Sequence, residues 1–221
     1  MGMNDLVSVA TIIGVAMITP GPNNFIVMAA ASRNGPMAMV PAMAGIIFGG
    51  LVLLFVIWIG AGSAFSTVPG LQAAIMFAGV LYLIWLGGSL MWAATRDSNS
   101  STRSGTGGDM RGLPCSFFGV FAFQFFNPKA WILVMTVTAS MTASASPISA
   151  PAISLGPISL GHISSLGFLT VLFLCIPFFC LSLWGLGGLI LRRWLDHDNV
   201  RRGFDFIMGA LLAGSAAFLM V

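Results

Sequence analysis

"MITPGPNNFIVM", residues 17–28, interrupts a long uncharged run with Pro20, Gly21 and Pro22, then adds two amides, Asn23 and Asn24. Proline inside a helix removes a backbone donor and crowds the preceding turn. Two prolines bracketing a glycine therefore unwind a turn, and Pro22 is placed to open a new half-helix. In lipid the groups so freed must find partners, so such a break persists only where protein or a water-filled cavity covers it. What the stretch means depends on whether the surroundings are lipid.

Composition answers that. The 221 residues are 57% hydrophobic and only 7% charged, where a soluble domain carries roughly a quarter charged residues. Mean hydropathy is +0.98. Apolar runs of the ~20 residues needed to cross a bilayer recur at about 5–32, 37–62, 69–94, 113–141, 164–190 and 203–221. The expected fold is all-α, a single polytopic transmembrane domain over residues 1–221 with six helices and no soluble module. The opening "MGMNDL" has no basic n-region of the kind a signal peptide carries, so the first run is expected to stay and span.

The charges orient those spans. Of the nine Lys and Arg residues, all but Lys129 fall in the connections after the first, third and fifth runs. They are Arg33, then Arg96, Arg103 and Arg111, then Arg192, Arg193, Arg201 and Arg202. The positive-inside rule makes that side cytoplasmic and sends both termini to the outer side. Trp92 and Trp194 flank the same ends, where interfacial anchors belong. The net charge of +3 thus reflects topology and gives no reason to expect a nucleic-acid partner. "RDSNSSTRSGTGGDMR", 96–111, has the composition of a flexible linker. It separates halves of about 1–95 and 112–221 with three spans each. "TASASPISAPAISLGPISLGHI", 142–163, is expected to be an exposed outer loop.

The second half has its own break. "FQFFNPKAW", 123–131, sets Gln124, Asn127, Pro128 and Lys129 in the middle of the fourth run. Pro20 lies 14 residues from Leu6 and Pro128 lies 15 from Leu113, each counted from the entrance of its span. Three spans per half make the halves enter from opposite sides. The layout predicts two inverted three-helix repeats with broken first and fourth helices and a binding site between the breaks; only the layout repeats, not the residues.

Lys129 needs a reason, since a mid-bilayer lysine costs about 2.5–3.5 kcal/mol on insertion scales. It either snorkels to an interface or faces a polar cavity. In a cavity it would hold an anionic group beside the positive end of a half-helix, while carbonyls and amides of 20–24 take an ammonium. The predicted substrate-binding set is Pro20, Gly21, Pro22, Asn23, Asn24, Gln124, Asn127, Pro128 and Lys129, suited to an amino-acid zwitterion. No catalytic residue, cofactor or metal is expected. Cys115, Cys175 and Cys180 form no C-x-x-C, and His162 and His197 have no partner at a metal-site spacing. Gly45 and Gly49 make a G-x-x-x-G, and Gly87, Gly88, Gly187, Gly188 and Gly209 lie in other runs; helix packing is their expected role.

At "ITPGPNN", "FQFFNPKAW" and "GVLYLIWLGGSLMW" (79–92) the sequence resembles the lysine-exporter (LysE/RhtB) family of bacterial amino-acid exporters, over essentially the whole chain. The resemblance implies a secondary active exporter, not an enzyme, that moves small amino acids or their derivatives by alternating access coupled to proton antiport. The threonine, homoserine and cysteine branch looks nearer than the lysine exporters. The third run ends in Gly-Gly-Ser-Leu and the outer loop is long, and both depart from the family pattern. Implied partners are a small-molecule amino acid, the bilayer and, for a homo-oligomer, a second copy of the chain. Two rival functions make different demands. A thiol-redox transducer needs facing thiols, where Pro-Gly-Pro and Asn-Pro-Lys stand instead. A cation exporter wants clustered carboxylates, thiols or imidazoles within the spans.

Overall fold

The computed structural model describes residues 3–61, 67–68, 70–95, 116–144, 160–195 and 197–218. The linker 96–111, with Arg96, Arg103 and Arg111, lies outside the described residues, as do Cys115, most of the 142–163 loop and Val221. Helices follow in the order α1 (Met3–Ile18), α2 (Pro22–Asn34), α3 (Pro36–Val56), α4 (Leu71–Thr95), α5 (Phe117–Phe123), α6 (Pro128–Ser144), α7 (Leu160–Arg192) and α8 (Asp198–Phe218). A π turn, Ile57–Ala61, extends α3, and a 3-10 turn, Gln124–Phe126, extends α5. The chain is an all-helical polytopic membrane protein.

Both interrupted runs bend. α1 meets α2 at 53°, and the α5 segment meets α6 at 67°. Pro22 occupies the first turn of α2 and Pro128 that of α6, where a missing N–H costs nothing. Pro41 and Pro177 lie inside α3 and α7 without breaking them. Among the described residues three helices are long and apolar enough to cross a membrane unbroken, within Pro36–Gly60, Ala73–Trp92 and Ser165–Arg192, and each bent pair adds one more if it counts as a span. The last helix, α8, is not among them. Arg201, Arg202 and Asp205 fall in its first turns.

Close backbone approach explains the glycines. A Cβ on Gly45 would lie 2.6 Å from the Phe117 carbonyl oxygen, and one on Gly49 would lie 2.6 Å from Gln124 Cγ. The G-x-x-x-G of α3 is therefore the seat on which α5 and its following turn rest. Gly87 and Gly209 face each other, each 2.5 Å by the same measure from the other's carbonyl, and hold α4 against α8. Gly79 of α4 covers the second break, packed on the Phe126 carbonyl with Pro128 Cδ 2.9 Å from a would-be Cβ. Gly188 of α7 abuts the Met28 carbonyl of α2. Gly88 and Gly187 meet nothing within 4 Å, so packing does not explain those two.

The α2 helix is the most enclosed element. Phe25, Ile26, Val27, Ala29, Ala30, Ala31 and Ser32 are all buried. On the outside, Phe48, Phe55, Phe77, Trp85, Phe118, Phe179 and Ile190 are each more than half exposed. Such rings suit lipid tails, which are as apolar as the side chains themselves.

Candidate functional site

At the first break, Met17 and Thr19 keep their carbonyls but lose the helical donors four residues on, because the helix stops between Ile18 and Pro22. Side chains replace them. Asn24 Nδ2 donates to the Met17 carbonyl at 3.0 Å and to the Thr19 carbonyl at 2.8 Å. Lys129 Nζ, arriving from α6, donates to the same Thr19 carbonyl at 2.9 Å. Its chain lies across Gly21, where a Cβ would stand 3.1 Å from Nζ. Gly21 has φ −172°, a value open to any residue. What it supplies is room for the lysine.

The second break is tied to the first by amides. Asn23 and Gln124 form a reciprocal pair, each donating its NH2 to the other's carbonyl oxygen at 3.0 Å. Asn127 Nδ2 adds a 3.3 Å bond to Asn23 Oδ1. Gln124 and Asn127 are each 1% exposed and Asn24 is 3% exposed, so this is a buried polar network whose members satisfy one another. Asn127 Oδ1 also accepts from the Lys129 backbone N–H at 3.1 Å, turning the lysine back toward the first break. Trp131 Nε1 donates to the Phe125 carbonyl at 2.9 Å.

Gly21, Pro22, Asn23, Asn24, Asn127 and Lys129 line one small cavity with Ala16, Met17 and Ala130. Gln124 lines a second on the other side of Asn23. Each holds only about 20 Å³, room for about one water. The two remaining predicted residues are not in the cavity. Pro20 is exposed, and Pro128 is buried against α4 and lines a separate groove with Ile75 and Trp131. Both stand at the backbone breaks themselves.

The carbonyls of the first break, expected to await an ammonium, are already occupied by the chain's own Asn24 and Lys129. Sequence reasoning also missed Arg33 and Asp205. In the sequence Arg33 reads only as a charge in a connection and Asp205 does not stand out, yet they form an ion pair between the last turn of α2 and α8, with side-chain exposures of 24% and 12%. Their separation of 172 residues left no local signal. Among the described residues there is no cluster of three metal-ligating side chains.

Parts of this sequence are similar to known proteins. A leucine efflux protein of Enterobacter sp. (strain 638) is 33% identical over 89 residues, covering 40% of this chain and 42% of the relative. One from Klebsiella pneumoniae subsp. pneumoniae is 34% identical over 86 residues, 38% of this chain and 41% of the relative. A cysteine/O-acetylserine efflux protein of Escherichia coli O157:H7 is 29% identical over 131 residues, 58% of this chain and 60% of the relative. The chain thus spans about two-fifths to three-fifths of the length of these relatives. No solved structure matches it. The family model of the LysE type translocators runs through both breaks, from residue 14 to residue 221, and on that match this chain is a member of the LysE type translocator family.

Proposed function

We propose that this protein is a secondary exporter of small α-amino acids in the bacterial inner membrane, binding its substrate between the two broken helices. The observation that carries the reading is the lysine–carbonyl contact inside the amide network, Lys129 Nζ on the Thr19 carbonyl with Asn23, Asn24, Gln124 and Asn127 around it. A zwitterion offers what this site lacks and takes what it has. Its carboxylate draws the Lys129 ammonium off the carbonyl and meets the N-terminal end of α2. Its ammonium then takes the place of Lys129 on the Thr19 carbonyl, beside Asn24 Nδ2. One internal contact is exchanged for three external ones, and no charge is left unpaired.

The cavity volumes fit an occluded conformation, too small for an amino acid until the breaks part, which supports alternating access. The bend in each half supports one broken span per half; with α8 taken as a sixth span the proposed layout is two inverted three-helix repeats, and the arginine distribution supports both termini outside. The efflux names of the relatives favour a neutral substrate, with leucine and cysteine the first to try. Coupling to proton antiport follows from the family alone. The test is transport by purified protein in liposomes, with a panel of labelled amino acids and with or without an imposed pH gradient. Gradient-stimulated movement of a neutral amino acid is expected, with N-acetylated or amidated forms excluded. Folded protein that moves none of the panel would overturn the reading.

A further inference from the structure

The polar contacts of α2 occur at its two ends, and the ends are built alike. At its start, the unwound Thr19–Gly21 step separates it from α1, and Asn23 is bonded to Gln124 and Asn127 of the second half. At its finish a single residue, Gly35, separates it from α3. Gly35 has φ +87°, a conformation L side chains rarely adopt. Arg33, two residues earlier, is paired with Asp205 of α8, again in the second half. Between those ends the helix is apolar, with Phe25, Ile26, Val27 and Met28 followed by Ala29, Ala30 and Ala31. A rigid segment flanked by two pliable points is how hinged gates are made.

We infer that α2 is the moving element of the transport cycle and that the Arg33–Asp205 pair is its cytoplasmic latch. The ten residues from Asn23 to Arg33 span about 15 Å at 1.5 Å per residue, so the latch and the substrate network sit at opposite ends of one lever. Two features mark the pair as a switch instead of a brace. A part-buried ion pair is weak in net stability, and its best-attested use is to select one arrangement over another. Arg33 Nε, in addition, is buried with no acceptor among the described residues, so the pairing leaves one donor of that guanidinium unmet. Arg192 completes the end of the lever: a Cβ on Gly35 would stand 2.6 Å from its Nη1, so that guanidinium lies over the hinge. When the pair parts, the α2 end swings away from α8 and opens the network to the cytoplasm.

The inference rests on the cytoplasmic orientation adopted above, but its test needs no substrate. In a background with Cys115, Cys175 and Cys180 changed to serine, Ser32→Cys places a thiol beside Arg33 at a position only 2% exposed. A membrane-impermeant maleimide is then applied to inside-out and right-side-out vesicles. The parent should react slowly from both sides. Asp205→Asn should raise the rate in inside-out vesicles at least about fivefold, the lower end of typical couplings between sites, and the charge swap Arg33→Asp with Asp205→Arg should restore slow labelling. Because a single variant leaves a stranded charge and can fail to fold, Arg33→Met with Asp205→Leu decides the matter. Apolar replacement of a buried pair is often neutral for stability, so a latch predicts a folded protein with fast labelling. A folded double variant that labels as slowly as the parent overturns the inference, as does faster labelling confined to right-side-out vesicles.

Discussion

The two breaks differ in who satisfies their backbone. At the second, the repair is local: Trp131 caps the Phe125 carbonyl, Asn127 caps the Lys129 N–H, and Asn127 N donates to the Gln124 carbonyl at 3.3 Å. Gly79 of α4 seals it from outside. At the first, the Thr19 carbonyl depends in part on Lys129, 110 residues away. A local repair survives motion of the surrounding helices, while a remote one must be made and unmade as they move. On the proposed reading the second break is the part that holds and the first the part that moves, although the sequence presents both as proline-interrupted spans.

Lys129→Met should produce the largest separation between them. It removes the remote cap and the only cation at the site, so amino-acid efflux should fall roughly tenfold to a hundredfold, the equivalent of a charged hydrogen bond worth about 1.5–3 kcal/mol. Lys129→Arg should recover only part, because a planar fork needs more room than an ammonium. Efflux from preloaded cells, normalised to membrane-inserted protein, checks both. Normal efflux with methionine would put Lys129 among the snorkelling lysines and erase the contrast.

Gly21→Ala tests the room left for that lysine. The backbone there accepts any residue, so a loss of efflux must come from pressure on Lys129 Nζ, 3.1 Å from the new methyl. Weakening a contact in this way should cost about two- to tenfold, within the ~0.5–1.5 kcal/mol of a typical hydrogen bond. The same change in a Lys129→Met background should then cost nothing more, because the two act through one contact. Additive losses would break that link.

Trp131→Phe should have the smallest effect on transport. It leaves the Phe125 carbonyl unmet and should lower the thermal midpoint in detergent by a few degrees, given about 1–3 kcal/mol for an unsatisfied buried group. Efflux per folded molecule should hold. A specific loss of transport at unchanged thermal stability would show that the second break works too.

The sequence alone determined the medium and the interruptions. Charge at 7% and recurring apolar runs leave a helical membrane protein as the solution, since lipid provides no partners for open backbone. Proline's missing N–H marked both break points to within a residue or two, because that effect is local and independent of the fold. Asn23, Asn24, Gln124, Asn127 and Lys129 stood out in the sequence because polar side chains in an apolar run are conspicuous. Which of them touch was decided only by tertiary structure. The Asn23–Gln124 pair joins residues 101 positions apart, and it forms because Gly49 lets the turn carrying Gln124 come close to α3. Arg33 and Asp205 look like ordinary end-of-span charges until folding sets α2 beside α8. Residue type tells what a group needs, but its partner is fixed by how closely the helices pack, and that closeness is a property of the assembled bundle.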